Sequence, residues 1–307
     1  MELIEGVALS QMCDYSFGDQ AGQWSGIYTH FMKEANLMNF EFVSKVFEIK
    51  RSRDYMTLFI DNIRLYNRRI QEVSDQDWPA VRAMMQKSNL LNLCGNFSDM
   101  KFIIFTNLED TPIDDYIFES IPKNVLKIYA ANALSHGGKV VPAPYGVQRK
   151  MHPRDNRSEL LLQSMVGKRA DKLLYVSHKE DSHPERIGTR QMFMDKLWAT
   201  VDTTRVEYTE FLENLSNHKF MLCPRGNAID CHRNWEVLYM RRVPVMKRHP
   251  YLEELFKDYP VLFVDDYSEV TENLLKANEN LYQRAQEMDL SQLYLPNWFE
   301  NCVREVT

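Results

Sequence analysis

Two rhythms of apolar residues alternate along this chain. Short, unbroken apolar runs recur between longer stretches whose apolar positions return at helical spacing. KFIIFTN (101–107) reads as a buried strand, and MTLFI (56–60) as a short strand or a buried helical turn. DWPAVRAMMQKSNLLNL (77–93) has helical spacing, with Asp77 as candidate N-cap and Pro79 in the first turn. NVLKIYAANA (124–133) and the strand-like KVVPAP (139–144) follow. After the charged stretch RKMHPRDNRSELLLQSM (149–165), a second series begins with the strand KLLYV and a helix over SHPERIGTRQMFMDKLWATV (182–201). It continues as strand HKFML, helix HRNWEVLYM, strand VPVM, helix YLEELFKDY and strand VLFV. The remainder, 271–306, is helical and polar on one side. Such alternation predicts an α/β chain with parallel strands and right-handed crossovers.

Composition narrows the class. A chain of 307 residues is long for one core and suits two domains, divided near the charged 149–165 stretch. With a net charge of −6 and no charged half, it lacks the basic excess of a dedicated nucleic-acid binder. Local clusters at Arg64, Arg68 and Arg69, and at Arg149, Lys150, Arg154 and Arg157, keep a polyanionic acceptor open. Five cysteines with no C-x-x-C point to a reduced compartment, and the expectation is a cytoplasmic protein. No apolar stretch reaches the roughly 20 residues that span a bilayer.

In parallel sheets ligands sit beyond the carboxyl ends of strands. Two loops meet that condition with unusual chemistry, SHKEDSHPER (177–186) and CPRGNAIDCHR (223–233). Asp230 is a good N-cap type for a helix starting near Cys231. Arg233 in the first turn opposes the helix dipole unless an anion binds there. Arg225, Arg233 and the free backbone N–H groups suit a diphosphate, and Glu236, one turn on, suits the paired hydroxyls of a ribose. The alternative is a surface i,i+3 ion pair between Arg233 and Glu236, contributing a few tenths of a kcal/mol.

The block FMLCPRG, then R-x-x-E, then VPV (220–245) resembles the donor-binding domain of exostosin-like glycosyltransferases of the two-domain GT-B type. KLLYVSHKEDSHPERIGTRQMF (172–193) is similar to that family's strand, polar loop and following helix. FIIFTNLEDTPID, VLKIYAANA and VPAPYGVQRK resemble first-domain patterns of related viral and bacterial members. The resemblance covers about residues 100 to 275. It departs at Met240-Arg241-Arg242-Val243, where many members place Gly before the I/V-P-V strand.

The resemblance implies two Rossmann-like domains with a cleft between them. Residues 1–165 would form the acceptor side, 166–290 the nucleotide-sugar donor side, and 291–307 a C-terminal helix packing back on the first domain. The implied donor-binding set is Ser177, His178, Arg186, Arg190, Arg225, Gly226, Asp230, Arg233 and Glu236. Asp19, with Asp14 behind it, is the candidate general base in the stretch CDYSFGDQAGQWSG (13–26), whose other reading is an ordinary surface loop. The glycines match no dinucleotide or P-loop fingerprint. His136 reads as a turn residue, Cys223 and Cys231 as buried thiols, and Val264-Asp265-Asp266 as a strand-end turn rather than a metal pair. His178 and His183 beside Glu180 and Asp181 lack a recognised metal-ligand spacing.

The expected activity is sugar transfer from a nucleotide diphosphate sugar, UDP-linked by default, to an acceptor hydroxyl, with no cofactor and no metal. The acceptor stays open among a glycan, another hydroxyl-bearing molecule and modified DNA. Rivals are another enzyme of the same architecture, such as a sugar-nucleotide epimerase or a phosphorylase, and a non-catalytic relative that binds glycan or nucleic acid.

Overall fold

A computed structural model of the chain describes residues 2–17, 40–61, 90–108, 110, 112–113, 115–119, 121–134, 136–148, 157–164 and 169–307. Contacts divide the chain into two compact units, Met1–Tyr145 with Tyr294–Thr307, and Gly146–Leu293. Unit 1 contains α1 (Gly6–Met12), β1 (Tyr15–Phe17), α2 (Phe40–Lys50), β2 (Tyr55–Asp61), α3 (Leu90–Gly95), β3 (Lys101–Asn107), α4 (Asp115–Phe118), β4 (Val125–Ala130) and β5 (Val140–Pro142). Unit 2 contains α5 (Arg157–Ser164), β6 (Lys172–Val176), β7 (Ala199–Val201), α6 (Tyr208–Ser216), β8 (His218–Leu222), α7 (His232–Tyr239), β9 (Val243–Lys247), α8 (Pro250–Leu255), β10 (Leu262–Val264), α9 (Glu272–Ala277) and α10 (Glu279–Glu287). The last helix, α11 (Leu295–Arg304), belongs to unit 1. A division at 165/166 follows from the charged stretch; by contact it falls at Tyr145/Gly146, because α5 packs on α6.

Each unit is built on a five-stranded, fully parallel sheet. In unit 1 the order is β1-β2-β3-β4-β5. Both faces of this sheet are covered, which explains its unbroken apolar runs. On one face Phe59, Ile103, Phe105 and Tyr129 pack with Ile4 and Leu9 and with Leu295 and Phe299 of α11. The Phe105 ring stacks on Tyr129 at 5.1 Å and Phe299 at 4.9 Å, and the Tyr129 hydroxyl donates to the Cys302 carbonyl at 2.8 Å. On the other face Phe42 of α2 gathers Tyr15, Phe17, Phe97 and Phe102. MTLFI therefore lies in a strand, and of the helix expected over 77–93 only the end, α3, lies within the described residues.

Unit 2 has the order β10-β9-β8-β6-β7. Leu174, Val176, Phe220, Leu222, Val243, Val245, Leu262 and Val264 form its core with Tyr282 and Ala285 of α10. The helix expected over 182–201 is absent. Two 3-10 turns, Pro184–Arg186 and Gln191–Phe193, stand there instead, followed by β7. Of the apolar side chains over 182–201, Ile187, Met192, Met194 and Leu197 are exposed, and Phe193 is buried against Trp198. Gly188, at φ +77, turns the backbone out of the helical region between them. No helix among the described residues is long and apolar enough to cross a membrane.

Two consecutive arginines, Arg241 and Arg242, form the turn from α7 into β9. Arg241 adopts φ 54, a left-handed conformation that favours glycine. Its guanidinium donates to the carbonyls of Gln286 and Met288 at 2.7 and 2.6 Å, and its own carbonyl accepts from the Gln286 side chain at 2.6 Å. These carbonyls close the C-terminal end of α10, where a cation is favoured. Arg242 lies buried behind it, donating to the Ser216 carbonyl at 2.6 Å and the Met240 carbonyl at 2.9 Å. Arg241→Gly keeps the backbone relaxed but loses the anchor, whereas Arg241→Ala loses the anchor and keeps the strain. The expected order of stability in urea unfolding is Arg, then Gly, then Ala, with Gly and Ala about 1 kcal/mol apart.

Candidate functional site

All carboxyl ends of a parallel sheet lie on one edge. In unit 2, β6 is flanked by β7 and β8, so the chain leaves β6 towards one side and β8 towards the other. Between such diverging connections a crevice opens, the place where ligands bind in open α/β sheets. Here the segment after β6 and the segment after β8 border an open cavity of about 1630 Å³. Its lining includes Ser177, His178, Arg186, Arg190, Arg157, Asp202, Tyr208, Phe211, His232 and Arg233.

Arg186 ties the two segments together. Its Nε donates to the Arg225 carbonyl at 2.7 Å and its Nη2 to the Pro224 carbonyl at 2.9 Å. Its Nη1 donates to Ser182 Oγ at 2.8 Å and the Lys179 carbonyl at 3.3 Å. Gly226 packs under the guanidinium, where a Cβ would stand 3.4 Å from Nη2. Arg190 donates to the carbonyls of Asp202 and Thr203 and lies 3.6 Å from Glu180.

His178 is held in one tautomer. Thr189 Oγ1 lies 2.8 Å from the Arg186 carbonyl, which can only accept, so the hydroxyl hydrogen goes there. His178 Nε2, at 2.6 Å from the same oxygen, must therefore carry the ring hydrogen and donate it. Nδ1 is left as an acceptor, buried and without a partner among the described residues. Burial, then the charges of Arg186, Arg190 and Arg233, push the imidazole pKa down from 6.5 to about 3.

Arg233 and Glu236 form the i,i+3 pair that their spacing allows, with Nε 3.3 Å from Oε2. It is not a surface pair. The Glu236 side chain is 6% exposed and that of Arg233 31%. The second Glu236 oxygen accepts from the Tyr208 hydroxyl at 3.0 Å. Burial, then the Glu236 charge, drive the Tyr208 hydroxyl pKa far up, so it stays protonated and donates. The Arg233 guanidinium lies 3.9 Å over the Phe211 ring, and that of Arg157 lies 5.0 Å over Tyr208. Arg233 Nη1 is buried and unpaired among the described residues.

Of the expected donor set, Ser177, His178, Arg186, Arg190 and Arg233 line this cavity; Arg225, Gly226, Asp230 and Glu236 do not. Arg225 folds back onto its own loop, with Nη2 3.2 Å from the Asn227 carbonyl. Asp230 is fully buried and accepts from Asn234 at 2.9 Å and from Trp235 Nε1 at 2.6 Å, so it braces α7. Cys231, one residue later, occupies the N-cap position expected for it. Burial raises the thiol pKa values of Cys223 and Cys231, which keeps both neutral. His232 Nδ1 meets the Gly146 carbonyl at 2.8 Å.

Asp14 belongs to unit 1 and stands just before β1, at the amino edge of that sheet. Its carboxylate accepts from the Thr57 backbone N–H and hydroxyl at 2.7 and 2.8 Å and pairs with Arg53. It therefore clasps β1 to β2 at the edge opposite the strand carboxyl ends. Asp19 lies outside the described residues. Asp266 caps the 3-10 turn Tyr267–Glu269 that ends β10, while Asp265 pairs with Arg248 at 3.1 Å. His183 caps the turn Pro184–Arg186, and His136 is exposed beside the Gly137-Gly138 turn. Among the described residues no three His, Cys, Asp or Glu side chains gather as metal ligands.

Sequence reasoning missed Tyr208, Phe211 and Asp202. The helical spacing of Tyr208, Phe211, Leu212 and Leu215 was the available signal for α6.

Two outcomes follow from this geometry. Arg186→Ala should lower unfolding free energy in urea by about 2–3 kcal/mol, from the loss of charged hydrogen bonds to carbonyls. Arg186→Lys should recover less than half, because an ammonium lacks the planar fork. Below pH 6.5 the unfolded chain takes up a proton that folded His178 refuses until about pH 3. Stability should therefore fall as pH drops through that window, and His178→Asn should flatten the slope; His218, also pushed down by burial, contributes the same sign in both proteins. No family model matches the chain, and no curated protein matches it significantly.

Proposed function

We propose that this chain is a glycosyltransferase of the GT-B type that takes a nucleotide diphosphate sugar, UDP-linked by default, in the cavity of unit 2. The observation that supports the reading is the concentration of Arg186, Arg190 and Arg233 at the reversal of strand order, beside the N-terminus of α7. Such a site favours a diphosphate through guanidinium charge and the helix dipole together. The half-buried Tyr208 borders the cavity next to that charge, while Phe211 is buried beneath Arg233. Arg233 takes up negative charge on the departing diphosphate, which stabilises the transition state electrostatically. Glu236 and Asp230 support this work from behind, by holding α7 and Arg233, and not as groups on the cavity wall. The acceptor is a glycan or another hydroxyl-bearing molecule, including modified DNA.

A thermal-shift screen against UDP, GDP, ADP, CMP and their sugar conjugates tests the reading. One nucleotide at a hundred times its dissociation constant should add about 2.7 kcal/mol to the wild type. Arg233→Ala should lose most of that shift. If no nucleotide stabilises the protein, or Arg233→Ala shifts as much as wild type, the reading fails. Transfer should also persist in a chelator; strict dependence on a divalent ion would count against the Arg233 role.

A further inference from the structure

Two residues that line the cavity each carry a buried polar atom that nothing satisfies among the described residues, His178 Nδ1 and Arg233 Nη1. Their needs are opposite. Nη1 carries hydrogens and requires an acceptor, as an anion supplies. Nδ1 carries only a lone pair, because Thr189 fixes the ring hydrogen on Nε2, and requires a donor. The neighbouring guanidiniums do not provide one. Arg186 spends four hydrogen bonds on three carbonyls and Ser182, and Arg190 faces the carbonyls of Asp202 and Thr203. An unmet buried acceptor is destabilising, and that cost is recovered when a donor reaches it. An acceptor-only anion such as sulfate can satisfy Arg233 but leaves His178 unmet.

We propose that His178 Nδ1 is the acceptor for a ligand hydroxyl, so that the cavity selects an anion that also carries a hydroxyl, a phosphorylated sugar or nucleotide, over a bare anion. The inference rests on the reading that this cavity takes an anion. Both atoms are shielded from solvent, so binding includes a side-chain adjustment of the kind common at binding surfaces. His178 contributes as an uncharged acceptor, since its burial, and then the three arginines around it, oppose a proton there. It is a specificity-determining residue, distinct in role from the charge-bearing Arg233.

Calorimetric titration with sulfate, UDP and UDP-glucose, on wild type, His178→Phe and His178→Asn, tests this. Phe keeps a ring and removes the acceptor; Asn places an amide oxygen near the position of Nδ1. His178→Phe should weaken UDP or UDP-glucose about tenfold and leave sulfate within about twofold, and His178→Asn should regain much of the loss. The first ligand in the series to show the loss tells whether a ribose or a sugar hydroxyl is read. In ¹⁵N-labelled wild type, the Nδ1 resonance should move on adding UDP-glucose and stay in place with sulfate. This readout decides the matter alone if His178→Phe does not fold. Equal loss for every ligand that binds, or no loss for UDP and UDP-glucose with an unmoved Nδ1 resonance, overturns the proposal while leaving the anion site intact. Absence of binding by all three ligands to wild type overturns the anion reading and this proposal together.

Discussion

Parallel pairing places every strand's carboxyl end on one edge, and the order β7-β6-β8 sends the chain away from that edge in two directions. A crevice forms between these two directions. Arg186 bridges it, joining the segment after β6 to the carbonyls of Pro224 and Arg225 after β8. Because those partners are carbonyls and not carboxylates, the bridge leaves its positive charge uncancelled. The same side chain thus joins the two segments that border the cavity and adds positive charge to its wall.

That charge propagates to its neighbours. Burial first, and then this charge with those of Arg190 and Arg233, makes a protonated His178 unfavourable and leaves the imidazole a neutral acceptor. Arg233 is placed by contacts on two sides, the Phe211 ring beneath it and Glu236 beside it, with Tyr208 holding the second Glu236 oxygen. A carboxylate engaged this way is costly to remove and poorly available to a ligand. The wall of the cavity therefore carries arginine, imidazole and aromatic groups together with the acidic residues Glu180, Asp181, Asp202 and Glu207, while Asp230 and Glu236 stand behind it.

Much of unit 2 was legible in the chain itself. The runs KLLYV, HKFML, VPVM and VLFV are strands because they are buried on both sides, and a run of that kind has few other uses. The two loops with ligand chemistry were legible for the same reason, as both follow such runs. What stayed hidden depended on pairing. β7 is three residues long and follows exposed apolar side chains that imitate a helix, so the reversal of strand order gave no local sign. The partner of Glu236 is a tyrosine 28 residues earlier, and spacing within one helix says nothing of it. Asp14 looked like an acid in a polar loop, yet its partners Arg53 and Thr57 arrive from β2 and the turn before it.

The proposed diphosphate site lies at the reversal of strand order between β6 and β8. A crystal structure of the wild type with UDP tests it most directly. The expected position of the diphosphate is at the carboxyl ends of these strands, with a phosphate oxygen within hydrogen-bond distance of Arg233 and the base on the Tyr208 side of the cavity. UDP bound elsewhere, with this cavity left unfilled, would contradict it.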